Sequence, residues 1–167
     1  NVLPPGVERH IVNGGGLTGL KVFPDDEIEV INDEGHQICE IICFNKDGKS
    51  ELGILNLKEN SKNNYIKNIL QGKDESILAT NYQLRKRNLK ISDAKSSIIF
   101  DPDTGVGETI KLKSKDHCYV VFASPGDDMD ITNQNPPGDL TIFIKRSKII
   151  NDKELNVIPD PVFEPAH

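Results

Sequence analysis

The chain has 167 residues, of which 28% are charged and 36% hydrophobic, and this composition suits one globular domain with its own core. Its net charge of -6 argues against a nucleic-acid partner, because phosphate binding requires a basic surface. No apolar run approaches the ~18 residues that span a membrane, and the three cysteines favour a reducing cytoplasm over a disulfide scaffold.

The first residues, Asn1–Gly19, are rich in proline and glycine and are predicted to form a flexible lead-in. Three consecutive glycines, Gly14–Gly16, also allow a phosphate-binding loop, but such a loop requires a helix directly after it. The following run, Leu20–Phe23, instead predicts a short strand that Pro24 closes. We therefore place a β-rich domain over residues 20–150.

Two apolar, β-branched runs, Ile28–Ile31 and Ile38–Phe44, flank the turn Asn32–Gly35. A second turn, Asn45–Gly48, leads to a third apolar run, Leu52–Leu57. Polar clusters that end in glycine between such runs predict β-hairpins. The middle run carries two cysteines and a glutamate, so we expect any chemistry of the chain to lie near it.

Helical spacing follows this region. Asn60–Gln71 is predicted to hold a helix with Ser61 as its N-cap and Gly72 at its end. The segment Asp74–Arg87 predicts either a second short helix or an irregular crossover. Further strands are predicted at Ile98–Phe100, Glu108–Leu112, His117–Ala123 and Leu140–Ile144.

Many short strands separated by turns predict a mainly β fold, either a β-sandwich or a distorted barrel, with one or two short helices. The last residues, 151–167, lose periodicity and carry Pro159, Pro161 and Pro165. This segment is predicted to be an extended linker to a further domain.

Four polar residues of the middle region, His36, Cys39, Glu40 and Cys43, would share one face of a helix, as a metal site requires. The intervening isoleucines and the length of the run favour a strand instead. On a strand the two cysteines lie ~13 Å apart at ~3.3 Å per residue, too far for one zinc ion or a disulfide. We therefore expect three free thiols, with Cys118 able to meet one of the others across the sheet.

The strand assignment places Glu40 on the same face as Ile38, Ile42 and Phe44. Burying a carboxylate among apolar side chains costs free energy unless the carboxylate is paired or protonated. Either this face is wet, or a lysine or arginine from a neighbouring strand pairs with Glu40, or the carboxylate lies at the mouth of a ligand pocket.

A second group of polar candidates, Asp101, Asp103 and Thr104, lies in one turn. Asx hydrogen bonds would hold such a turn, and loops on a rigid sheet also commonly bind ligands. The acidic groups Asp25–Asp26 and Asp127–Asp130 lack the spacing of a calcium loop. The chain has no GxSxG, HExxH or CxxC motif, so the catalytic residues are unknown at this point.

The order of these motifs resembles the urea-carboxylase-associated domain family, which includes the carboxyguanidine deiminase subunits. The family's Gly-x-Gln-x-x-Asp is matched by Gly35, Gln37 and Glu40, and its Asp-Thr-Gly turn by Asp103–Gly105. The His-Asp that follows this turn in the family is absent here, and Ser124 stands where the family has a metal-ligating cysteine. Whether a metal is bound stays open.

In trimethylamine-oxide demethylases a domain of this family looks to precede a folate-binding aminomethyltransferase domain. The resemblance implies such a front domain, with tetrahydrofolate bound by a downstream domain, no cofactor in this one, and a homo-oligomeric enzyme. The proline-rich end and the missing initial methionine favour this setting over a free-standing binding or hydrolytic subunit. The candidate ligand-binding residues for a small amine-type substrate are His36, Gln37, Glu40, Asp101, Asp103 and Thr104.

Overall fold

A computed structural model describes residues 3–62, 64–126 and 136–148. In these ranges the chain forms two four-stranded antiparallel sheets. Sheet A has the order β1-β8-β3-β6, formed by Val7–Val12, Leu140–Lys145, Glu27–Asn32 and Thr109–Lys113. Sheet B has the order β2-β7-β4-β5, formed by Leu17–Val22, Cys118–Ala123, Cys39–Asn45 and Ser96–Ile99.

The chain crosses between the sheets at nearly every connection, since only β4 and β5 follow one another within the same sheet. Eight antiparallel strands in this order form a jelly roll. The predicted mainly β sandwich with short helices is therefore confirmed, and no closed barrel forms among the described strands.

The core lies between the inward faces of the two sheets, where β-branched and aromatic side chains interdigitate. Its fully buried members include Val12, Val30, Ile41, Val120, Phe122, Leu140 and Ile142. Sheet B is also buried on its outer face, because a second apolar cluster joins it to the helical segments. Burial on both faces explains why β7 is continuously apolar and why β4 is apolar apart from Glu40 and its last residue, Asn45.

Two α-helices cover the outer face of sheet B. α1 is a single turn at Tyr65–Ile69, and α2 spans Glu75–Lys86. Ile66 and Leu84 are buried in the outer cluster beside side chains of β4 and β7. Short 3-10 helices form at Leu52–Leu55 and Ile91–Asp93. Within the described ranges, no helix is long and apolar enough to cross a bilayer.

The predicted flexible lead-in is wrong from Val7 onward, because β1 and the start of β2 lie inside it. β1 pairs along its whole length with β8, which is more than 120 residues away in sequence. The predicted hairpin at Asn32–Gly35 is also wrong, since β3 and β4 belong to opposite sheets. The glycine turn serves to carry the chain from one sheet to the other.

The second predicted hairpin is partly correct. The chain does fold back at Asn45–Gly48, where Phe44 bridges to Ser50, but the run that follows forms a 3-10 helix. The segment Asp74–Arg87 contains the α-helix α2 and is not an irregular crossover. Ser61 is not a helix cap, because it forms an isolated bridge with Ser96 and α1 begins only at Tyr65. The predicted linker 151–167 and the acidic group Asp127–Asp130 lie outside the described residues.

Candidate functional site

An open cavity of about 630 Å³ lies at one end of the sandwich, where several strands begin or end. It is lined by the turn that joins β3 to β4, by Pro102 after β5, by residues 125–126 after β7, by residues 136–138 before β8, and by Tyr65. This volume is in the range of small-molecule sites. A second cavity, of about 560 Å³, lies against sheet A and contains none of the predicted site residues.

The turn between β3 and β4 forms the floor of the cavity with two consecutive left-handed residues, Gly35 at φ +75° and His36 at φ +56°. A Cβ atom on Gly35 would lie 2.8 Å from the backbone nitrogen of Val106, so glycine is required there. The backbone N–H of His36 donates to the Thr104 carbonyl at 2.7 Å. For a residue with a side chain, such a conformation costs about 1–3 kcal/mol and is found mainly where the surrounding structure enforces it.

The imidazole of His36 is exposed to the cavity and has a fixed orientation. Its Nδ1 atom lies 2.9 Å from the carbonyl oxygen of Pro102. Because a carbonyl only accepts hydrogen bonds, Nδ1 carries the proton in this contact. In the neutral ring Nε2 is then left with a lone pair, which a ligand in the cavity can use as an acceptor or a base.

Gln37 holds the walls of the cavity together. Its side chain is only 6% exposed, and its Nε2 donates to the carbonyls of Ile38 at 3.0 Å and Pro125 at 2.8 Å. Its Oε1 accepts from the backbone N–H of Gly138 at 2.8 Å. Since backbone groups occupy the amide, Gln37 positions the two segments that flank the cavity, after β7 and before β8.

Glu40 lies beneath the cavity and does not line it. The side chain faces the helices, on the β4 face opposite to Cys39 and Cys43, as the strand assignment predicted. Glu40 is only 1% exposed, so the expectation of a wet face is wrong. In the described part of the chain no lysine or arginine pairs with it either.

The partners of Glu40 come instead from α1 and β5. Oε1 accepts from the Ile66 backbone N–H at 2.8 Å, and Oε2 accepts from the Ser96 hydroxyl at 3.3 Å. The backbone N–H of Tyr65 also donates to the carboxylate. Burial raises the pKa of Glu40 above its ordinary value, and these hydrogen bonds oppose that shift.

The predicted group Asp101, Asp103 and Thr104 forms a supporting turn. The Asp101 carboxylate accepts from the Asp103 N–H at 2.7 Å, and the Thr104 hydroxyl accepts from the Asp101 N–H at 2.9 Å. These contacts form an Asx-type turn. Neither aspartate lines the cavity, but the turn presents the Pro102 carbonyl to His36.

Sequence reasoning missed several residues of the cavity wall. Glu34, Tyr65, Pro125 and Pro137 all line it. A signal was present in the two Pro-Gly pairs at residues 125–126 and 137–138. Tyr65 lies at helical spacing within the predicted helix Asn60–Gln71, but that spacing does not indicate that its side chain reaches the cavity.

The cysteines are in the core and away from the cavity. All three are free thiols and buried. A hydrogen bond that the Cys43 thiol donates to Cys118, together with burial, raises the pKa of Cys43, and burial raises the pKa of Cys39. The predicted meeting of Cys118 with another cysteine is confirmed by this contact with Cys43 on the neighbouring strand. No cluster of three histidine, cysteine or acidic side chains that could hold a metal ion occurs in residues 3–62, 64–126 and 136–148.

Together, the fold and the cavity define a jelly-roll domain with a site of small-molecule size between its end loops. The chain is 31% identical over 164 residues to the trimethylamine-oxide aldolase of Ruegeria pomeroyi. The match covers 98% of this chain but only 21% of that protein, so the chain spans about a fifth of its relative's length. No family model matches the chain.

Two solved structures have a related outline. A DUF1989 family protein from Silicibacter pomeroyi aligns over 96% of this chain and 85% of its own, with 12% identity and a TM-score of 0.46. A de novo designed double-stranded β-helix aligns over 83% of this chain and 95% of its own, with 9% identity and a TM-score of 0.31. Both likenesses are too distant to support a function.

Substituting Gln37 by leucine should lower the free energy of unfolding by about 2–6 kcal/mol. The change leaves the Pro125 carbonyl and the Gly138 N–H without their buried partner, at about 1–3 kcal/mol each. Urea denaturation followed by circular dichroism measures the loss. Gln37→Glu is the matched control, because it can still accept from Gly138 but cannot donate to Pro125. If both variants are as stable as the parent, Gln37 does not hold the cavity walls.

Proposed function

We propose that this chain is the substrate-side domain of an amine-oxide-converting enzyme, and that the end cavity binds its small amine-type substrate. The observation that carries the proposal is His36, whose costly left-handed backbone holds an oriented imidazole in the cavity. The similarity of nearly the whole chain to part of a trimethylamine-oxide aldolase supports the choice of substrate class.

The lining of the cavity suits a compact methylated amine or amine oxide. The Glu34 carboxylate provides a negative charge for the positively charged nitrogen, and the Tyr65 ring provides a π face. Proline rings at 102, 125, 136 and 137 offer apolar contacts for methyl groups. The lone pair on Nε2 of His36 can accept a hydrogen bond from a protonated methylamine, and a ring protonated on both nitrogens can donate through Nε2 to the oxygen of an amine oxide.

The proposal assigns the one-carbon acceptor to another part of a longer enzyme. Tetrahydrofolate needs a pocket with large flat walls, whereas only 5% of this chain is aromatic and four of its nine aromatic side chains pack in the two apolar clusters. The chain would therefore bind the amine substrate, and a downstream domain would bind folate, in an enzyme assembled as a homo-oligomer.

Calorimetric titration of the 167-residue chain with trimethylamine N-oxide and, separately, with tetrahydrofolate tests this assignment. We expect saturable binding of the amine oxide and none of the folate. tert-Butanol, which has a similar shape but no charged nitrogen, is the control ligand and should bind at least about tenfold more weakly. Binding of folate at micromolar concentration, or formaldehyde release by this chain alone, would contradict the assignment of the substrate to this chain and of folate to another domain.

A further inference from the structure

We propose that Glu40 is a positioning residue that sets the wall of the cavity from behind, by fixing α1 and with it Tyr65. The expected effect on ligand binding rests on the proposed function, because it assumes that the cavity is the ligand site. Its structural part depends only on contacts within the described residues.

The helix α1 is too short to hold itself in place. It has five residues, and isolated helices of that length are unstable in water. Its N-cap residue, Asn64, makes no side-chain capping hydrogen bond. The first N–H groups of the helix therefore need acceptors from elsewhere in the chain.

Glu40 supplies these acceptors from the sheet. Its carboxylate, at the start of β4, accepts from the N–H groups of Tyr65 and Ile66, the first two residues of α1. Charge-assisted hydrogen bonds of this kind are about twice as strong as neutral ones. Ile66 is 1% exposed in the outer apolar cluster and anchors the same helix turn.

Tyr65 links the position of α1 to the shape of the cavity. It is the one residue of α1 that lines the cavity, and its backbone N–H donates a hydrogen bond to Glu40. A shift of α1 therefore moves the ring against which a ligand would pack. Small displacements of such contacts lower ligand affinity without removing any group that touches the ligand.

The matched pair Glu40→Gln and Ser96→Ala separates this role from general stability. Glutamine keeps the size of the side chain, but it has one acceptor oxygen where glutamate has two. Ser96→Ala removes the hydroxyl that contacts Glu40 and the Ser61 carbonyl, and it leaves both contacts of Glu40 to α1. Both variants retain a filled core, so urea denaturation should show a folded chain in each case.

Fluorine NMR of the chain labelled with 3-fluorotyrosine reports the position of the ring without any ligand. The chain contains three tyrosines, and Tyr65→Phe identifies the signal of interest. We expect Glu40→Gln to move the Tyr65 signal and leave Tyr82 and Tyr119 in place, while Ser96→Ala has a smaller effect. An unmoved Tyr65 signal in Glu40→Gln, or equal shifts of all three signals, would overturn the positioning role.

Titration of the same variants with trimethylamine N-oxide then measures the consequence. Glu40→Gln should weaken binding by about tenfold or more, whereas Ser96→Ala should change it less. Unchanged affinity in Glu40→Gln, with a displaced Tyr65 signal, would overturn the claim that this ring shapes the ligand site. If the parent chain binds no amine oxide, the proposed function fails, but the fluorine result still tests the positioning role by itself.

Discussion

Replacing Arg146 with methionine should lower the free energy of unfolding by about 3–5 kcal/mol, the usual cost of leaving one partner of a buried ion pair alone. Asp26 is fully buried, and its Oδ2 lies 2.7 Å from Nη1 of Arg146. The same guanidinium bonds both carboxylate oxygens of Glu8, through Nε at 2.9 Å and Nη2 at 3.0 Å. The methionine variant would leave the buried Asp26 carboxylate without its ion-pair partner.

Arg146 matters because it joins parts of the jelly roll that are distant in sequence. It follows β8, and it contacts Glu8 on β1 and the carbonyl of Lys21 on β2. Asp26 in turn accepts from the backbone N–H groups of Phe23 and Ser147, which fixes the turn before β3. The variant should therefore loosen the end of the sandwich opposite to the cavity.

The pH dependence of stability gives a second readout. A hydrogen bond from His10, followed by the contacts with Arg146, lowers the pKa of Glu8 to about 2, while burial opposes the shift. A lowered folded-state pKa stabilises the fold above the ordinary value of 4.5, and this contribution is lost as the pH falls from 4.5 towards 2. The deficit of Arg146→Met should thus be smaller at pH 2 than at pH 7. Glu8 is 40% exposed, so solvent screening keeps its share below that of Asp26.

Guanidinium denaturation at both pH values measures these differences, with Arg146→Lys as the control. Lysine keeps the charge but lacks the planar fork that bonds two carboxylates at once, so an intermediate loss is expected. A loss below about 1 kcal/mol in Arg146→Met would mean that the pair contributes no more than an exposed salt bridge.

The strands themselves were predictable because alternation and β-branching are local properties. The strand at Ile38–Phe44 and the separation of Cys39 from Glu40 on its two faces follow from composition and length, and both are observed. Pairing was not predictable in the same way. A glycine-containing turn indicates a reversal of the chain, but it does not indicate which strand accepts the next one, and here β3 and β4 separate into different sheets.

The site shows the same limit. Glu40 stood out in the sequence as a carboxylate among apolar residues. Its partner, the Ile66 N–H, is 26 residues away, and the helix predicted over Asn60–Gln71 gave no indication that its backbone meets β4. His36 was predicted as a candidate ligand-binding residue without any indication of its backbone conformation. Its left-handed φ arises from tertiary contacts, with the Thr104 carbonyl on one side and the Pro102 carbonyl on the other.

Substituting His36 by asparagine should leave the fold intact and weaken binding of trimethylamine N-oxide by about tenfold to a hundredfold. Asparagine adopts the left-handed conformation more readily than most residues, so the turn can be kept. It lacks an imidazole, however, and offers no ring nitrogen to the cavity. Calorimetric titration measures the affinity, and urea denaturation verifies the fold.

A second pair of variants tests whether the strain at His36 serves the site. At φ +56° glycine is unstrained and alanine is not, so His36→Gly should be more stable than His36→Ala by about 1 kcal/mol. Both variants should bind the amine oxide as weakly as the asparagine variant, because all three lack the ring. A glycine variant that is more stable than alanine yet binds like the parent chain would show that the strained turn is only structural. If His36→Gly is more stable than His36→Ala but binds the amine oxide more weakly than the parent chain, the unfavourable backbone at this position serves to place the imidazole in the cavity.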